Sequence, residues 1–256
     1  MKKFLLVTLA LIVSTVFAAA VDSVPSKNVV GYVNIDSPPA KLVLAANNFR
    51  AVGGGDLTLT EVFGTDQLRQ AGFAVGVDII SIWDAVTQTY ANYWQKTGGT
   101  FHDIADVLGT TPVDPAMPVG TPFWLTPANT AATTTTLTLL GEASGADTST
   151  QSLVTGLNQL NMSYAADFNL GDNDWIADGA TGTAFLGAGD VISVWNVAAQ
   201  GYANYWLKDA GTWHLLSDVL GSTPQDVDVL VGQTAWYTAA AAFDVTIDRP
   251  YTYPVD

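Results

Sequence analysis

Apolar and polar residues alternate with period two in short runs along most of this chain, and Gly, Asp, Asn and Pro break the runs. This is the pattern of half-buried strands joined by turns. IISIW (Ile79–Trp83) is a β-branched and aromatic run, and DAVTQT after it is a short polar connection. YANYWQK (Tyr90–Lys96) then alternates, with Tyr90, Asn92 and Trp94 on one face and Ala91 and Tyr93 on the other. The two runs predict a hairpin. TGG turns the chain again, and Thr100–Phe101 begins another extended piece. FHDIADVLG (Phe101–Gly109) and WHLLSDVLG (Trp213–Gly221) each read as one or two helical turns, stopped by a glycine and a later proline. Pro112, Pro115, Pro118 and Pro122 predict an extended loop before the FWLT strand.

The pattern occurs twice. The stretch DIISIWDAVTQTYANYWQKTGGTFHDIADVLGTTP from Asp78 aligns without a gap on DVISVWNVAAQGYANYWLKDAGTWHLLSDVLGSTP from Asp190, an offset of 112. The match continues through VGTPFWLT (Val119–Thr126) and VGQTAWYT (Val231–Thr238), with about half the positions identical. Upstream, LVLAANNF (Leu42–Phe49) resembles LVTGLNQL (Leu153–Leu160). Each unit spans about 110 residues, an ordinary domain size. The expected fold is mainly β: two tandem duplicated domains, each a β-sandwich or partly open barrel with one short helix. The expected boundaries are 1–20 for a signal segment, 21–135 for the first domain and 136–256 for the second.

A boundary strand of one kind appears three times, as VVGYVNI near the start, TLTLLGE in the middle and FDVTID (Phe243–Asp248) at the end. Two domains with three such strands allow two arrangements. Either the middle strand belongs to the first domain, or one strand is surplus and joins another chain. In the second arrangement Val29, Gly31, Val33 and Ile35 of the first strand would fill a groove, and Phe243, Val245 and Ile247 form the matching stripe of the last.

Charge and targeting sharpen this picture. MKKFLLVTLALIVSTVFAAA carries a basic start, an apolar stretch from Phe4 to Phe17 and an A-x-A site at Ala18–Ala20, as a bacterial secretory signal does. Its apolar run is short for a membrane span, so no membrane insertion is expected after cleavage. The whole chain has a net charge of −15; without residues 1–20, seven basic residues face 24 acidic ones, leaving −17. That excess argues against nucleic acid, whose phosphates need basic partners. There is no cysteine, which removes a lipoprotein anchor, disulfides, zinc thiolates and a cysteine nucleophile.

Candidate chemistry is sparse. Trp83, Tyr90, Asn92 and Trp94, with Trp195, Tyr202, Asn204 and Trp206, would make two aromatic faces that stack on sugar rings. Aromatics alternating in a strand more often pack in a core or across strands. His102 and His214 are the only histidines, sit at equivalent positions, and have Asp106 and Asp218 four residues on. With no nucleophile motif beside them they read as structural. Asp172, Asp174 and Asp178 in GDNDWIADG are oxygen donors spaced as calcium ligands are, though neither the glycine nor the glutamate of an EF-hand is present. A solvated turn is the plainer reading. No catalytic residue is assigned, and no cofactor beyond that calcium.

The succession NVVGYVNI, LVLAANNF, IWDAVTQTYANYW, GTPFWLTP, TLTLLGEA resembles a group of secreted β proteins of environmental Gram-negative bacteria. Those pair an N-V-V-G-Y-V opening with a W…Q-x-Y hairpin, a G-x-x-F-W strand and a closing strand ending in Gly-Glu. The resemblance implies fold and exported location, and no activity. Many of that group end in a sorting or anchor segment, whereas this sequence ends RPYTYPVD, from which release or assembly outside the cell is expected. The combined expectation is a secreted, non-enzymatic structural protein of the cell surface or an extracellular assembly. It would be a self-associating filament subunit joined by terminal strand addition. The alternative is a carbohydrate-binding protein using the repeated Tyr/Trp/Asn faces.

Overall fold

The computed structural model describes residues 29–84 and 87–253; the signal segment expected at 1–20 lies outside them. The chain is mainly β. Its first half runs β1 (Val30–Ser37), β2 (Val43–Ala46), β3 (Phe49–Arg50), β4 (Leu57–Thr58), α1 (Leu59–Phe63), β5 (Ile79–Asp84), β6 (Thr89–Gln95), β7 (Phe101–Asp103), β8 (Ala116–Met117), β9 (Pro122–Thr126) and β10 (Thr135–Ala143). The second half runs β11 (Thr148–Leu153), β12 (Gly156–Gln159), β13 (Phe168–Asn169), a 3₁₀ turn (Leu170–Asp172), α2 (Trp175–Asp178), β14 (Val191–Asn196), β15 (Gly201–Leu207), β16 (Trp213–Leu215), β17 (Asp228–Val229), β18 (Ala235–Ala239) and β19 (Phe243–Asp248).

Two five-stranded antiparallel sheets dominate, in the orders β2-β9-β5-β6-β7 and β12-β18-β14-β15-β16. Their central hairpins have the same register: Trp83 faces Tyr90 across β5 and β6, and Trp195 faces Tyr202 across β14 and β15. Each sheet has a smaller companion. β10 pairs with β1 over eight residues and touches β3 at its end, while β19 pairs with β11 over six. The middle strand of the three therefore pairs within the first half. The strand opposite β19 is TSTQSL, a polar stretch with a single buried residue, Leu153.

Each half has its own core. The first takes Val33, Ile35, Leu137 and Leu139 from the companion sheet and Val43, Ile80, Phe123 and Leu125 from the five-stranded one. The second centres on Trp175, Trp213 and Tyr237, with the rings of Trp175 and Tyr237 stacked 5.3 Å apart.

The helices are not where the DVLG segments suggested. Residues 101–103 extend β6 into a third strand as β7, with Gln95 paired to Phe101, and residues 104–108 form turns. The same holds after β16. The reason lies in Asp106, whose carboxylate accepts the Thr111 N–H (2.7 Å) and the Thr110 hydroxyl (3.1 Å) and closes a turn a helix could not keep. The helices sit earlier in each half. α1 starts on a full capping box, in which Thr58 accepts from the Glu61 N–H and Glu61 from the Thr58 N–H. α2 starts on Asp174 and ends at Gly179 in the left-handed region.

Candidate functional site

The three aromatics of YANYW take three different places. Tyr93 lies against the first core. Trp94 is fully buried on the opposite face, its indole N–H donating to the Asp103 carbonyl (3.1 Å), with His102 tilted beside it at 5.4 Å. Gly109, at a φ of +60°, closes over that indole, and a Cβ there would meet Trp94 at 3.1 Å. Trp206, His214 and Gly221 take the same places, but the Trp206 N–H donates to Asp218 O, three residues beyond the counterpart of Asp103. Trp94 and Trp206 are thus covered by their own loops. Asn92 and Asn204 are half-buried. Tyr90 and Tyr202 are exposed by 36% and 41% and stand apart from both cores.

Their surroundings join the halves. The ring of Trp83 meets that of Trp236 edge-on at 5.5 Å, and Trp124 meets Trp195 at 5.0 Å. Trp83 and Trp195 are counterparts at the offset of 112, as are Trp124 and Trp236, so each contact joins one position of the first kind to one of the second across the halves. Tyr90 packs on Trp83 (5.0 Å) and Tyr202 on Trp195 (4.8 Å). The Trp124 N–H donates to the Tyr90 hydroxyl at 3.1 Å. Burial raises the pKa of both tyrosines above the ordinary value, against the opposing effect of the tryptophan N–H each accepts.

Polar bonds fix the joint. Trp195 and Gln200 both donate to Leu42 O (3.0 Å each), and Leu42 N–H returns a bond to Gln200 at 2.8 Å. Gln200 holds this position at a φ of +50°, a left-handed conformation costly for a side chain with a Cβ. Buried Asn48 donates to Met162 O (2.6 Å) and accepts from Gly232 N–H (2.7 Å). Sequence reasoning singled out neither Trp124, Trp236 nor Asn48 as site residues. The offset of 112 that relates Trp124 to Trp236 was the available signal.

His102 is buried, with Nε2 3.0 Å from Thr100 Oγ1 and Nδ1 3.0 Å from Thr111 O; Asp106 lies 3.5 Å from Nδ1. His214 has the matching threonine at 2.9 Å and Asp218 at 3.6 Å. Asp106 and Asp218 are held at pKa values of about 2, first by the Thr111 and Thr223 N–H groups. A carboxyl with a folded pKa below its ordinary 3.8 favours the native state above that value and loses the effect as pH falls toward 2. Wild-type melting temperature should therefore drop between about pH 4 and pH 2. A D106N/D218N variant should start lower and show a flatter acid limb, and superimposable limbs would refute the assignment.

Asp172 is exposed in the 3₁₀ turn, Asp174 caps α2 through the Ala177 N–H, and Asp178 accepts from Asn173 (3.0 Å) and Thr246 N–H (3.0 Å). Among the described residues no group of three or more His, Cys, Asp or Glu is placed to hold a metal ion. No helix among them is long and apolar enough to cross a membrane. In the terminal strands, Val33 and Ile35 are buried, Gly31 and Val29 lie exposed at the start of β1, Val245 and Ile247 are buried in the second core and Phe243 packs against it. Comparison of the chain with protein-family models, curated proteins and solved structures gives no match.

Proposed function

We propose that this is an exported, non-enzymatic structural protein whose work is self-association, at the cell surface or in an extracellular assembly such as a filament. In this reading each half is a small β-sandwich, the two arose by tandem duplication, and they are clamped into one subunit through the tryptophan joint. The common strand orders and the shared offset support the duplication.

The observation that carries the proposal is the outer edge of β1. The strand ends its sheet, and Ala143 N–H donates to Val29 O, so alternation turns the backbone groups of Val30, Tyr32, Asn34 and Asp36 toward the open side. The adjoining face is apolar and exposed: Val30 by 61%, Tyr32 by 71% and Leu140 by 58%. The corresponding edges of β10 and β19 are blunted. The Gln67 amide bonds both Thr138 N–H and Thr138 O, and Asp178 takes Thr246 N–H. Addition at the β1 edge also leaves Val33 and Ile35 in their own core, whereas exchange of β1 would strip them out. The negative charge opposes close packing until cations screen it, which makes calcium a natural accompaniment.

Negative-stain electron microscopy of residues 21–256, with and without calcium, tests this. Regular assemblies are expected, and Tyr32→Pro, which removes an outward donor without touching a β10 bond, should abolish them while circular dichroism stays unchanged. Discrete monomers in both conditions would overturn the reading.

A further inference from the structure

The tryptophan joint does not close completely. Tyr90 and Trp124 from the first half and Leu157, Ser193, Tyr202 and Trp236 from the second line an open cleft of about 270 Å³. We propose that this cleft is a binding site for one neutral pyranose ring, a single site shared by the two halves rather than one on each aromatic face.

The chemistry of the lining selects the ligand. No charged side chain lines the cleft, so it offers nothing to pair with an anion or a cation. Its walls are aromatic faces, which suit the C–H face of a sugar. Its polar groups are hydroxyls. The Tyr90 hydroxyl accepts the Trp124 N–H, and the Tyr202 hydroxyl is paired in the same way with Trp236. A phenol that accepts one bond still has a proton to donate and a lone pair to offer. Two tyrosines oriented by tryptophan therefore present unspent donors and acceptors to one space, with Ser193 as a third hydroxyl. A purely apolar guest would cover those groups without pairing them, at a cost, whereas a polyhydroxylated ring pairs them. The volume lies just under the roughly 300–1,000 Å³ of pockets for drug-sized molecules, a size for one ring and not an oligosaccharide chain.

The test is saturation-transfer NMR on the whole chain with a panel of methyl pyranosides: gluco, galacto, manno and xylo, in both anomers. At least one should show transfer. Y90F/Y202F keeps the rings and removes both hydroxyls, and should weaken that ligand by about tenfold or more. Leu157→Trp fills the cleft from a position 43% exposed, and should abolish transfer with no change in melting temperature. Absence of transfer from every pyranoside would overturn the proposal. So would transfer that Leu157→Trp leaves intact.

Discussion

Asp190→Ala is expected to cost about 3–5 kcal/mol of folding stability, the range for removing one member of a buried, hydrogen-bonded charged network. Asp190 is completely buried and accepts three bonds from three parts of the chain: Thr181 N–H at 3.0 Å, Ala240 N–H at 2.7 Å and the Tyr237 hydroxyl at 2.8 Å. Alanine would leave the buried Tyr237 hydroxyl and two part-buried N–H groups without their acceptor, each costing about 1–3 kcal/mol unless the site relaxes or admits water. Tyr237 would feel the change directly, since burial and then the neighbouring Asp190 charge push its pKa far above the ordinary value. The first half supplies the control. Asp78 accepts Arg69 N–H (2.8 Å) and Ala128 N–H (2.7 Å), but the counterpart of Tyr237 is Leu125, which offers no hydroxyl. Asp78→Ala should therefore cost less, about 2–3 kcal/mol. Urea denaturation of the two variants decides the matter. A loss for Asp190→Ala no greater than for Asp78→Ala would mean that the tyrosine bond adds nothing.

The strands could be read from the sequence where burial is one-sided. IISIW, YANYW and FDVTID alternate because one face of each meets a core, and all three are strands in the structure. TSTQSL carries no such signature, since only Leu153 is buried, and its place is set by the partner strand β19. The helices were misplaced for a local reason. DVLG followed by proline looks like a helix end, yet Asp106 and Asp218 spend their carboxylates on the Thr111 and Thr223 N–H groups and stop the turn there. The true start of α1 was legible as Thr58-Leu59-Thr60-Glu61, a capping-box spacing. The joint is the hardest part to foresee. Alternation says that Trp83, Trp124 and their counterparts point away from their own core. It does not say that the two outward faces meet each other, because that depends on how the chain crosses between halves.

That meeting is measurable as a coupling energy. Trp236 is only 6% exposed and packs against Trp83, so Trp236→Ala should cost about 3–5 kcal/mol. Cavity formation alone predicts a loss of that size, so the single variant does not isolate the contact. The double-mutant cycle does. Trp83→Ala and Trp236→Ala share an edge-on ring contact and should couple by about 0.5–1.5 kcal/mol. The second contact, between Trp124 and Trp195, has a similar separation and tilt, and should couple by a similar amount. A joint tryptophan paired with a loop-covered one, such as Trp83 with Trp206, is the internal reference. The two share no ring contact and no ring partner, since Trp206 packs on His214 and Trp83 on Tyr90 and Trp236, and their losses should add. If Trp83 and Trp236 also proved additive, the two halves would be held by Asn48, Gln200 and Leu42 rather than by the edge-on indoles. The aromatic faces would then be under no demand from the joint. Coupling in both cross-half pairs and additivity in the reference pair is the pattern that requires the halves to fold against one another through their tryptophans.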